Sequence, residues 1–407
     1  MIGNYNSRNA GEQAAITSHT RHHRSLIHLL MPMLFMLAAC QNASGSAQSQ
    51  APPPHDQLIH HELYTFTDGS MSVYDMDHGH AFLQRLDLPL VKSVRGVVMN
   101  PKTHLLYIAY GGDGGGNGNG SLLAYNLLTN TVVWRQQYRH GIDSMSISPD
   151  GKTIFMPDGG ASADGNWYIV DAGTGQETDM IHGGTGPHNT IASLSGKHVY
   201  LGGQSYNYLE VADAATHQIV QRIGPLLNGV RPFTINGRET LAYISVTGLL
   251  GFQVGDITTG KVLYTVPVQR FTWNADGGDP SHGISLSPDE KTLYLIDYPN
   301  NYVHVFDVSH VPAQAPRQIA DIPMTRSMHH LDVPCTYDCG GEGWLLHSRD
   351  GRYVYVGDEG DVINTATHKV VANIDTLYMT RKMIEIDWQH GVPISTTNRS
   401  GIGYVTG

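Results

Sequence analysis

Ser148-Pro-Asp-Gly-Lys-Thr-Ile-Phe-Met-Pro-Asp158, SPDGKTIFMPD, joins a tight polar turn to a run of apolar and aromatic residues. An Asp-Gly pair favours a short hairpin turn, and the residues after it favour a strand. An alternating stretch precedes it, so the whole reads as two antiparallel strands, DSMSISPDGKTIFMPD from Asp143. The pattern returns as RGVVMNPKTHLLYIAY from Arg95, HNTIASLSGKHVYLGG from His188 and RPFTINGRETLAYISV from Arg231. Two further copies are HGISLSPDEKTLYLID from His282 and GWLLHSRDGRYVYVGD from Gly343. The copies lie roughly 40 to 60 residues apart, the length of a propeller blade rather than of a solenoid repeat.

A second half follows each copy: an apolar strand ending near Asp or Asn, a short turn, then another strand. Examples are WYIVDAGTGQETDMI, YLEVADAATHQIVQRI, YVHVFDVSHV and GDVINTATHKVVANI. Each unit is therefore a four-stranded antiparallel meander. There are six first halves and seven second halves, the extra one being MSVYDMDHGHAFLQRLDL from Met71. Its partner is the C-terminal MIEIDWQHGVPISTTNRSGIGYV. The expectation is an all-β, seven-bladed β-propeller whose last blade is closed by strands from both chain ends. Composition agrees: 46 glycines and only 15% charged residues suit short strands joined by turns.

SPDGKTIFMPD and SPDEKTLYLID resemble the YVTN-type repeats of bacterial β-propellers, over nearly all of residues 60–407. The resemblance implies the propeller fold and a place among cell-envelope proteins. Related propellers include the heavy chain of quinoprotein amine dehydrogenase and lactonases, so the fold by itself assigns no chemistry.

The N-terminus reads as a targeting segment. Arg21-His-His-Arg24 precedes an apolar run from Leu26 to Leu37, too short for a bilayer, where about 20 apolar residues are needed. Leu37-Ala-Ala-Cys40 resembles the bacterial lipobox, which implies cleavage before Cys40 and its acylation. Residues 1–39 are then a lipoprotein signal peptide. Residues 40–56 form the lipidated cysteine and a flexible Ser/Gln/Ala/Pro tether, and residues 57–407 the propeller. Gln41 favours the outer membrane if the host is Gram-negative. Cleavage removes three arginines and one glutamate, taking the formal charge from −11 to −13. With no basic cluster, nucleic acid is excluded as a partner. The expected partners are the membrane, through the lipid, and a small molecule, a glycan or an envelope protein.

Aligning the repeats on the turn identifies the residue that opens each innermost strand at the channel: Arg95, Asp143, His188, Arg231, His282, Glu342 and Lys382. Titratable groups of both signs converging on a concavity are what a binding site requires. Solvated channel mouths also carry polar residues without function. A metal ion held by His188 and His282, with Asp143 or Glu342, is one expectation for this ring. An enzyme using it, a lactone hydrolase or a metal- or quinone-dependent oxidoreductase, is the alternative to a binding protein. A scaffold for an envelope complex is the third reading.

The longest insertion between blades, MHHLDVPCTYDC from Met328 to Cys339, falls on the same face and offers His329, His330 and Asp332 to the mouth. Its Cys335 and Cys339 are the only thiols besides Cys40, and export favours their pairing as a disulfide; a Cys/His metal site and free thiols are the alternatives. The glycine-rich GGDGGGNGNG, Gly111 to Gly120, reads as a flexible hairpin connection or a loop covering the mouth.

Overall fold

The computed structural model describes residues 58–274, 278–325, 341, 343–378, 380 and 382–398. The chain divides into two units, Met1–Pro52 and Pro53–Gly407, and all described residues belong to the second.

Each repeat is a sheet of consecutive antiparallel strands. Blade 1 runs Val94–Asn100, Leu105–Gly111, Gly120–Asn126 and Thr131–Gln137. Blades 2 to 6 repeat this order, their first strands being Ser146–Ile147, Pro187–Ala192, Val230–Ile235, Ile284–Leu286 and Trp344–His347. Blade 7 joins the chain ends, in the order Val392–Thr396, Met383–Gln389, His60–Thr67, Ser70–Asp75, Ala81–Asp87. The protein is a seven-bladed β-propeller, as the repeat count requires.

The turn residues earn their places through hydrogen bonds. In SPDGK, the Ser148 hydroxyl donates to Asp150 at 2.6 Å and accepts the Thr153 amide at 3.0 Å, while Asp150 accepts the Lys152 amide at 3.1 Å. Ser287 and Ser348 do the same with Asp289 and Asp350. The position after the aspartate takes a left-handed backbone, φ 72° at Gly151 and 74° at Gly351, which glycine adopts without strain. The second half-motif ends in Asx turns: Asp171 accepts the amide and hydroxyl of Thr174, and Asp213 those of Thr216.

The second strands of blades 1 and 3 to 6 carry a tyrosine at a common position, where blade 2 has Phe155. Tyr107, Tyr200, Tyr243, Tyr294 and Tyr355 are all buried between blades. Burying large aromatic area in each interface is what locks neighbouring sheets face to face.

One element differs from four strands per blade. Blade 7 has a fifth strand, Val392–Thr396, on the channel side of Met383–Gln389. The chain then continues so that Asn398 accepts the amide of Met99, on the innermost strand of blade 1. Residues 394–396 and 398 line an open cavity of about 320 Å³ with the Asp-Gly-type turns of blades 1, 2, 3 and 6. These residues thus lie at the turn-side end of the channel.

Candidate functional site

The opposite end of the channel holds most of the residues predicted from the repeat register. β-bulges help to aim them. Pairing jumps from Val94↔Tyr110 to Gly96↔Ala109, so the register skips Arg95. It jumps likewise across His188, between Pro187↔Gly203 and Asn189↔Gly202, and across Arg231, between Val230 and Phe233. A skip in register bends the strand and redirects the side chain there, a device common beside active sites.

Asp143 and His188 form the centre. His188 Nδ1 lies 2.9 Å from Asp143 Oδ2, and both residues are buried. Burial alone would raise the Asp143 pKa. The charge and hydrogen bond of His188 outweigh it, with Arg95 and Lys382 adding to the effect, and hold the carboxyl at about 2. Asp143 is ionised at neutral pH. His188 Nε2 faces His282 Nε2 at 3.4 Å, and His282 Nδ1 faces the Gly343 carbonyl at 3.2 Å. The line Asp143–His188–His282–Gly343 therefore crosses from blade 2 to the start of blade 6.

Lys382, from blade 7, reaches Ser144 Oγ of blade 2 at 2.7 Å. Its ammonium also sits 3.4 Å from the centroid of the Trp344 ring, which itself meets His282 edge-on at 5.1 Å. Ser144 donates in turn to the Arg95 carbonyl at 3.2 Å. Arg95 Nε points at the Gly111 carbonyl at 3.3 Å, and its guanidinium lies 3.9 Å from Asp113 in the glycine-rich loop.

That loop is hydrogen-bonded to itself and docked on blade 2. The amide of Gly112 donates to Asn119 and that of Gly114 to Gly118, while its carbonyls at Gly112 and Asp113 accept Ile142 and Ala161 of blade 2. Gly141 is required beneath it: a Cβ there would lie 2.1 Å from the Gly114 nitrogen.

Arg231 is drawn aside. Its Nε lies 2.6 Å from Asp279 and 2.8 Å from Thr247, and another nitrogen donates to Gln204 at 2.8 Å. Glu342, His329, His330, Asp332, Cys335, Cys339 and Cys40 lie outside the described residues. Sequence reasoning missed Ser144, Trp344 and Asp113, which complete the cluster. Trp344 carried a signal, since it opens the innermost strand of blade 6 next to the aligned position.

The geometry bears on the metal expectation. Asp143 engages Nδ1 of His188, so it orients that ring as an outer partner instead of sharing an ion with Nε2. Among the described residues, the group of three or more metal-ligating side chains lies elsewhere, at His61, Glu385 and Asp387. Chemically, the mouth offers a buried carboxylate–imidazole–imidazole relay beside a lysine and an indole face. It can hold a polar ligand and move a proton.

No family model and no curated protein matches the chain. Solved structures do. The chain is similar to hydrazine synthase of Kuenenia stuttgartiensis, with 15% identity and a TM-score of 0.51 over 75% of this chain and 87% of that one. It is also similar to a functionally unknown protein from Desulfotomaculum acetoxidans, with 12% identity and a TM-score of 0.58 over 77% and 95%. At such identities the likeness speaks for the β-propeller fold alone.

Proposed function

We propose that the chain is a YVTN-type, lipid-anchored propeller of the bacterial cell envelope that binds a small polar molecule at its channel mouth. The observation that carries this reading is the convergence of Asp143, His188, His282, Trp344 and Lys382. They come from five blades, and each is at most 7% exposed. Groups at that depth are reached by a small molecule or the end of a glycan, not by a flat protein surface. The Leu37-Ala-Ala-Cys40 sequence and the tether of residues 40–56 support acyl anchoring, on the outer membrane if the host is Gram-negative.

A second reading, as an enzyme, draws on the Asp143–His188–His282 line. A carboxylate-oriented histidine is a general base in form, and a lactone is a substrate such a base would hydrolyse.

Thermal-shift screening of the full-length protein against amino acids, sugar acids and short oligosaccharides, followed by calorimetry, tests the binding site. Binding that is lost in His282→Ala and in Lys382→Met supports it. A ligand whose affinity neither substitution alters would place binding elsewhere and sink the reading. For the anchor, the native chain should enter the detergent phase on Triton X-114 separation and Cys40→Ser should remain in the aqueous phase. Equal partitioning of the two would remove the lipoprotein claim.

A further inference from the structure

A second cluster lies where the two chain ends meet in blade 7. Glu385 and Asp387 are two residues apart on one strand, so both side chains leave the same face. On the adjoining strand, His61 is the cross-strand partner of Asp387 and joins them on that face. One ligand atom from each residue lies within 4.8 Å of the others. His61 Nδ1 is 2.7 Å from Asp387 Oδ1 and 3.5 Å from Glu385 Oε1.

The outward oxygens are already held. Glu385 Oε2 accepts the Arg349 amide at 2.7 Å. Asp387 Oδ2 accepts the Arg349 guanidinium at 3.0 Å and the Ser395 hydroxyl at 2.6 Å. Each carboxylate is thus oriented through one oxygen and presents the other inward, the arrangement that outer partners impose on metal ligands. Glu385 is fully buried, and its inward Oε1 makes no hydrogen bond, its cationic neighbour being His61 Nδ1 at 3.5 Å. A buried carboxylate oxygen without a hydrogen bond is costly, and a cation at the centre of the three side chains would coordinate it directly.

Charge and access point the same way. The hydrogen bond to Asp387 and the nearby Glu385 carboxylate raise the His61 pKa to about 10, so an ion would displace the His61 proton. Two carboxylates and a neutral imidazole would then match a divalent charge. The His61 side chain is 25% exposed, so an ion can arrive from solvent and keep water ligands. Arg349 and Ser395 also line the cavity of about 320 Å³ at the turn-side end of the channel.

We infer that His61, Glu385 and Asp387 bind a divalent transition-metal cation, with a nitrogen–oxygen–oxygen set suited to Zn²⁺ or Mn²⁺, which pins the strand His60–Thr67 to the strand Met383–Gln389. The ion closes the ring where the covalent chain does not. This site is independent of the channel mouth.

The test uses the full-length chain, stripped with a chelator and titrated separately with Zn²⁺, Mn²⁺ and Co²⁺. The expected result is one ion per chain, a rise in melting temperature with Zn²⁺ or Mn²⁺, and visible absorption bands with Co²⁺. Glu385→Gln and His61→Gln should each weaken binding by more than about 100-fold, because losing even an outer partner costs about 10- to 100-fold. The double variant His188→Ala/His282→Ala should bind as the native chain does. His61→Gln, at a partly exposed position, keeps the test open should Glu385→Gln fail to fold. The inference is overturned by three outcomes: no stoichiometric uptake of any of the three ions, uptake unchanged in both single variants, or uptake abolished by the His188/His282 double variant.

Discussion

The Nε2 atoms of His188 and His282 face each other 3.4 Å apart, while each Nδ1 is turned to an acceptor, Asp143 Oδ2 in one ring and the Gly343 carbonyl in the other. A carbonyl and an ionised carboxylate accept and cannot donate, so both Nδ1 atoms carry hydrogen. A hydrogen bond between the facing Nε2 atoms requires one of them to donate to the other. Nitrogen-15 NMR of labelled histidine should show both Nδ1 atoms protonated. Two neutral rings each protonated at Nε2 would contradict the arrangement.

Lys382 and Trp344 should be energetically coupled. The ammonium lies 3.4 Å from the ring centroid, and both residues are buried. A desolvated cation–π pair contributes up to about 2 kcal/mol. A double-mutant cycle with Lys382→Met and Trp344→Leu, read by urea unfolding, should give a coupling of about 1 to 2 kcal/mol. A coupling near zero would mean that the ring contributes packing alone.

Two glycine substitutions near the mouth should differ sharply. In Gly141→Ala the new methyl would meet backbone of the glycine-rich loop, 2.1 Å from the Gly114 nitrogen, and lie 2.2 Å from the Asp158 carbonyl oxygen. The backbone must shift, so a loss of about 3 kcal/mol is expected. At Gly116, nothing lies within 4 Å of an added Cβ, and Gly116→Ala should change stability by less than about 0.5 kcal/mol. Chemical denaturation of both variants checks the contrast; equal effects would show that the loop does not dock as described.

His347 should make the fold acid-sensitive. Burial pushes its pKa down from 6.5 to about 3, while its Nδ1 pairs with the Ser285 hydroxyl at 2.7 Å. Between those two values the unfolded chain holds a proton that the folded chain refuses, so stability falls as pH drops through this window. One such group changes the folding equilibrium by up to about tenfold per pH unit. Denaturant unfolding from pH 7 to 4.5 should show a shallower pH dependence in His347→Gln than in the native chain. Identical slopes would show that His347 is protonated alike in both states.

Much of this was legible because it is local. Ser148, Asp150 and Gly151 fold their own turn through contacts within five residues, so the motif SPDGK announces the hairpin wherever it stands. Repetition then supplied the blade count, and the repeat register identified Arg95, Asp143, His188, His282 and Lys382 as neighbours of the channel. Arg231 shared the register yet is held by Asp279, a choice made by an acidic side chain that the repeat does not specify.

The sequence alone determined the strands and their turns, since each rests on short-range hydrogen-bonding patterns that recur, and the count of half-repeats pointed to closure of the ring by both chain ends. Only the tertiary structure decided that Lys382 meets Ser144 and Trp344, that His188 meets His282, and that a fifth strand joins blade 7. It alone brought His61 to Asp387, 326 residues away. Such contacts depend on how seven sheets pack around an axis and on which bulges turn a side chain inward. No local pattern records those distances.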